Sequence, residues 1–136
     1  MIEKLHALIG DIPIVMMTTK RADGRLVTRP MMTQSSDGTC DLWFLVGEDA
    51  DVVAELAADP HVSLAYVKDE AWISVSGTAR LVREGWVRIE VDVDAAEHFD
   101  GVTTSLLDEA PVFTAGLFGT NRGTDRDDDE RPRFLA

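Results

Sequence analysis

The stretch DLWFLVGEDADVVAELAADP, Asp41 to Pro60, decides how the rest of the chain is read. It opens on an apolar run, Leu42 to Val46, that holds no polar residue. Trp43 and Phe44 favour a strand over a helix, and the unbroken run predicts a strand buried on both faces. Gly47 ends the run. Glu48, Asp49 and Asp51 then lead into a short helix whose apolar side is Val52, Val53 and Leu56, and Asp59-Pro60 stops it. A strand that delivers its end to a helix N-terminus is a common cradle for an anion. Here that N-terminus carries three carboxylates and neither Lys nor Arg.

Strand signals lie on both sides of this unit. Ile2, Leu5 and Ile9 recur at helical spacing and Gly10 is placed to end that helix. Ile14 to Lys20 reads as a strand, Ala22-Asp23-Gly24-Arg25 as a tight hairpin, and Leu26 to Met32 as the return strand. Pro30 cannot donate a ladder hydrogen bond, which places that strand at an edge or a bulge. After the inserted helix, His61 to Val67, Ala71 to Val82 and Trp86 to Val93 are strand-like, with Gly77 marking a bulge or bend. Six strands with short turns and one inserted helix predict a mainly β domain, a small antiparallel barrel over residues 1–101. Residues 102–120 keep apolar side chains without a sustained period and could form a packed C-terminal segment. Residues 121–136 are polar, mixed in charge and poor in apolar surface, and read as a flexible tail.

Composition removes several function classes. With 136 residues the chain holds one core, and its net charge of −12 opposes both nucleic acid and anionic membranes. No stretch approaches the ~18 apolar residues of a membrane span. The start MIEKLHALIG lacks a basic leader, and the single Cys40 excludes an internal disulfide, so a cytoplasmic location is expected. His6, His61 and His98 show no metal-ligand spacing, and no metal is expected. Glu90, Asp92 and Asp94 share one strand face with Arg88 and read as a solvated surface rather than a cation site. Cys40 has no His or Lys neighbour in sequence to activate it. There is no G-x-S-x-G, P-loop or G-x-G-x-x-G signature.

Three segments carry a resemblance: GRLVTRPM at 24–31, the stretch Leu42–Pro60, and WISVSG at 72–77 with AEHFD at 96–100. In this order and spacing, over about residues 12–101, the chain resembles the general stress protein group of the pyridoxamine 5′-phosphate oxidase-like, FMN-binding split-barrel proteins. The resemblance implies a six-stranded split barrel that forms a homodimer, with FMN or a related deazaflavin along the subunit interface. It assigns cofactor contact to Thr28, Arg29, Pro30 and Met31 on one strand, and to Leu45, Val46 and Gly47 at the end of the LWF strand. Trp72 and Phe99 match positions from which the partner subunit closes the pocket. The activity it implies is hydride transfer from a nicotinamide donor to a small acceptor. The alternative is a non-catalytic binding protein on the same barrel. No residue is singled out as catalytic.

The chain departs from the family pattern where the cofactor phosphate is held. The usual Ser, and the Lys two residues on, are replaced by Ala50 and Val52. At ~6 Å and an effective dielectric of ~20, one carboxylate opposes a unit of phosphate charge by about 2–3 kcal/mol. The surrounding Glu48, Asp49 and Asp51 therefore weaken the phosphate grip. A second departure is the short turn Arg83-Glu84-Gly85, where relatives carry a helical insertion.

Overall fold

The computed structural model describes residues 2–100 and the strand at 104–106. The other residues of the predicted C-terminal segment and tail lie outside the described ones. In chain order the elements are α1 (Ile2–Ile9), β1 (Ile14–Lys20), β2 (Leu26–Met32), β3 (Leu42–Val46), α2 (Asp51–Ala58), β4 (His61–Lys68), β5 (Ala71–Glu84), β6 (Trp86–Phe99) and β7 (Thr104–Leu106). The six longer strands hydrogen-bond in the order β2-β1-β4-β5-β6-β3, all antiparallel, and β7 adds to β6. They curl into a half-barrel.

Alternation along the strands sends one set of side chains inward. Val15, Met17, Phe44, Leu64, Tyr66, Val75, Val87, Ile89 and Val91 are buried there. Leu5 and Ile9 of α1 and Val52, Val53 and Leu56 of α2 pack on the same core. The Tyr66 hydroxyl is 2.8 Å from that of Thr33, which satisfies a polar atom at the edge of the core.

Three expectations meet the structure in instructive ways. Pro30 lies on β2, the outermost strand of the hydrogen-bonded order, where its missing N–H costs nothing. At Gly77 the β5–β6 register shifts, and a Cβ there would stand 2.6 Å from the Asp92 carbonyl oxygen and 2.6 Å from Val91 Cγ1. The glycine lets two backbones approach through the bulge. The third expectation fails: β3 is not buried on both faces. Leu42 and Phe44 point inward, but Leu45 is 45% exposed and Trp43 is half-buried. β3 ends the hydrogen-bonded order, and its outward side chains are left partly open to solvent. The Arg88 guanidinium lies over the Trp43 ring at 3.9 Å, which is why an indole is tolerated there.

β6 is also longer than its alternation predicts. It runs past the bulge to Phe99, so AEHFD continues the strand that holds Glu90 and Asp92. As expected, those carboxylates belong to an ionic surface. Arg80 donates to Asp92 at 2.6 Å and to Glu90 at 3.0 Å, and Arg88 donates to Glu90 at 2.7 Å. Among the described residues no cluster of His, Cys, Asp and Glu is placed to hold a metal ion, and no helix is long and apolar enough to cross a membrane.

Candidate functional site

β2 alternates, and that divides the residues matched to the cofactor. Thr28 and Pro30 are exposed on the outer face, while Arg29 and Met31 are partly buried on the inner one. The Thr28 hydroxyl shares a hydrogen bond of 2.8 Å with that of Thr18 on β1. Met31 packs against the core opposite Val15. On β3, Leu45 is exposed, Val46 packs on the core, and Gly47 is open: a Cβ built on it meets nothing within 4 Å. These two segments lie near each other because the half-barrel brings β2 and β3 into contact, the Gln34 N–H donating to the Trp43 carbonyl at 3.0 Å.

Trp72 and Phe99 lie elsewhere. They face each other across the β5–β6 ladder, Trp72 37% exposed and Phe99 8%. β2 and β5 are separated by β1 and β4. Measured along the sheet at ~4.8 Å per strand, three spacings or about 14 Å separate β5 from β2.

Arg29 has an internal partner that its sequence neighbourhood does not announce. Its Nη1 donates to the Thr19 hydroxyl at 3.0 Å, and its Nη2 donates to Glu55 Oε1. Glu55 lies on α2 among Val52, Val53 and Leu56, on the face turned to the barrel, and is itself buried. The Thr19 hydroxyl donates to Oε1 at 2.7 Å and Arg21 Nε donates to Oε2 at 3.0 Å. Arg21 also lies 3.9 Å from Asp51, one turn earlier on α2. Burial is the largest influence on the Glu55 carboxyl and pushes its pKa up. The Thr19 and Arg21 bonds and the Arg29 charge together outweigh it and hold the group below the usual glutamate range. A signal was present: position 55 falls between apolar positions on a short helix, where a carboxylate requires a buried cation.

At the start of α2, Ala50 supplies no side-chain cap, and Val52 is 2% exposed with its side chain in the core. Among the described residues, Arg21 and Arg29 are the cations seen to pair with Asp51 and Glu55 of this helix, and both are engaged with these carboxylates. Those residues do not fit a terminal phosphate such as that of FMN: the hydroxyl and cation are replaced by Ala50 and Val52, and Arg29 already holds an anion.

The sequence profile described as pyridoxamine 5'-phosphate oxidase like matches residues 1–95. The chain belongs to this family. Solved structures agree with it at the level of fold. The general stress protein 26 of Bacillus anthracis is 18% identical with a TM-score of 0.64, the match covering 78% of this chain and 98% of that one. A pyridoxamine 5'-phosphate oxidase-related, FMN-binding protein of Nostoc punctiforme is 7% identical with a TM-score of 0.61, over 73% of this chain and 80% of that one. A heme-binding protein of Mycobacterium smegmatis is 13% identical with a TM-score of 0.66, over 78% of this chain and 57% of that one. No curated protein sequence matches. The six-stranded split barrel expected from TRPM, LWF and V-S-G is thereby shown, and the same fold serves more than one cofactor class.

Proposed function

We propose that this member of the family is a homodimer that holds a flavin-type ring between its subunits, without the usual grip on a terminal phosphate. The observation that carries the reading is the strand order, which sets Trp72 on β5 three strands along the sheet from Thr28 and Pro30 on β2. Trp72 and Phe99 complete a site at Thr28, Pro30, Leu45 and Gly47 only when a second copy supplies them. The outer face of the sheet supports it. Across β1, β4 and β5 that face presents Met16, Ala65 and Ser74 in one row and Thr18, Ser63 and Ser76 in the next, with Ile14, Val67 and Trp72 exposed beyond. Small and apolar side chains of this kind allow two sheets to approach closely.

The ring, an FMN or deazaflavin nucleus, would supply the redox chemistry, and the chain would position and shield it. Arg29 and Met31 lie on the inner side of β2, Arg29 held there by Thr19 and Glu55. The single cysteine fits a reducing compartment, and we place the protein in the cytoplasm. A second reading, an FMN-dependent oxidoreductase reducing a small acceptor, is favoured by the family match and by the FMN-binding relative from Nostoc punctiforme.

The test is mass and colour together. Light scattering of the purified chain should give twice the 14.9 kDa of one copy. Ala65→Glu should return it to one copy while circular dichroism stays unchanged, and should abolish quenching of riboflavin fluorescence. A monomeric wild type, or riboflavin binding that survives in monomeric Ala65→Glu, refutes the proposal.

A further inference from the structure

We infer that Glu55 sets the ligand specificity of this site, by occupying Arg29 and Arg21 with an internal anion and so turning away phosphorylated ligands. This rests on the proposed ring site for its biological meaning, because it names what selects among ring-bearing ligands. The physical case comes from the cluster itself. The family resemblance assigns Arg29, on β2, a cofactor contact to the phosphate or to the polar edge of the ring. A guanidinium is suited to a planar, charged acceptor. In this chain both arginines that flank the helix already have one. Glu55 receives a bond from each of them and a third from Thr19.

Counting charges, Arg21 and Arg29 are balanced by Asp51 and Glu55, so the cluster offers an incoming anion no net attraction. A phosphate would have to displace a buried carboxylate whose three partners it could not all replace. A buried ion pair of this kind is weak evidence for stability alone, since apolar residues of similar volume often serve as well. Its consequence here is selection. Glu48, Asp49 and Asp51 at the adjoining turn add to the repulsion, but they are exposed and screened. Glu55 acts from the buried side.

The experiment compares FMN with riboflavin, which carries the same ring without the phosphate, on the full chain. For the wild type the two dissociation constants should agree within about twofold. In Glu55→Gln, which keeps volume and an acceptor for Thr19 but removes the charge, FMN should bind tighter than riboflavin by about tenfold or more. Glu55→Gln/Arg29→Gln should lose that preference. A ratio in folded Glu55→Gln that stays within twofold of the wild type overturns the inference.

Inorganic phosphate decides the matter apart from any ring. At matched ionic strength, phosphate should raise the melting temperature of Glu55→Gln relative to chloride and leave the wild type unmoved. If neither flavin binds either protein, the ring-binding reading fails. The phosphate result then still upholds the selector role or, with no rise in Glu55→Gln, overturns it. Should Glu55→Gln not fold, Arg29→Gln in the wild-type background decides instead. An FMN to riboflavin ratio still near one supports Glu55 as the occupant of Arg29, and a tenfold loss of FMN alone shows that Arg29 grips phosphate after all.

Discussion

Removing either Arg29 or Glu55 should cost about as much as removing both. The side chains are 19% and 7% exposed, so the pair belongs with buried ion pairs rather than with surface ones. Glu55→Leu strands two guanidiniums and the Thr19 hydroxyl. Arg21, 37% exposed, can turn to water, but Arg29 is largely enclosed. Breaking one side of a buried pair costs about 3 kcal/mol, the low end of the usual range because Arg29 keeps some access to solvent. Arg29→Met leaves Glu55 with Thr19 and Arg21 and should cost about 2 kcal/mol. In the double variant an apolar pair replaces the ionic one, and the loss should be about 2–3 kcal/mol rather than the sum. The coupling is then about 2–3 kcal/mol. With a urea slope of about 1.5 kcal/mol/M, Glu55→Leu should lower the unfolding midpoint by about 2 M, and the double variant should lower it no further. Losses that add to within about 0.5 kcal/mol would show that the two side chains do not act as a pair, and Glu55 could not then be what keeps Arg29 from a phosphate.

Other outcomes follow from the same geometry. The Glu55 carboxyl is held below its ordinary value, so its contribution is complete above the unfolded pKa of about 4.5 and is lost as pH falls through the lower folded value. The stability difference between wild type and Glu55→Gln should therefore shrink from pH 7 to pH 3, and urea midpoints at the two pH values check it. Tyr66, the single tyrosine, has its pKa pushed up to about 12 by burial despite the Thr33 hydrogen bond. Its phenolate absorbance at 295 nm should rise near pH 12 rather than 10, and stability should fall as pH climbs through that window. Gly77→Ala forces a methyl to within 2.6 Å of the Asp92 carbonyl and should cost about 2–3 kcal/mol, read as a lower melting temperature. Arg88 donates to Glu90 and Thr39, pairs with Asp37 and covers Trp43. Arg88→Met should free the β2–β3 connection, seen as faster amide exchange over residues 35–41.

Local rules made the strands and turns legible. Asp23-Gly24 announced its hairpin, and Gly24 does adopt φ of 91°. Pro30 announced an edge, and Gly77 a bulge. What failed was the step from a local pattern to its neighbours. The run LWFLV was too apolar for an edge strand by composition, and only the strand order, with Arg88 laid over Trp43, explains how it can be one. The layout of the candidate site was less legible than the strands for a related reason. TRPM identified the strand, but adjacent residues on a strand face opposite ways, so Thr28 and Pro30 turn outward while Arg29 and Met31 turn toward the barrel. The role of Glu55 was hard to read because its partners, Thr19, Arg21 and Arg29, come from other elements 26 to 36 positions away. Its placement among apolar helix positions was the one available hint.

The most direct measurement is a side-by-side fluorescence titration of the wild-type chain with FMN and with riboflavin at low salt. Equal affinities would show a site that reads the ring and ignores the phosphate, as an Arg29 already paired with Glu55 requires. FMN binding a hundredfold more tightly than riboflavin would contradict it, because a phosphate would then be held at a corner where both nearby arginines, among the described residues, are already taken by carboxylates.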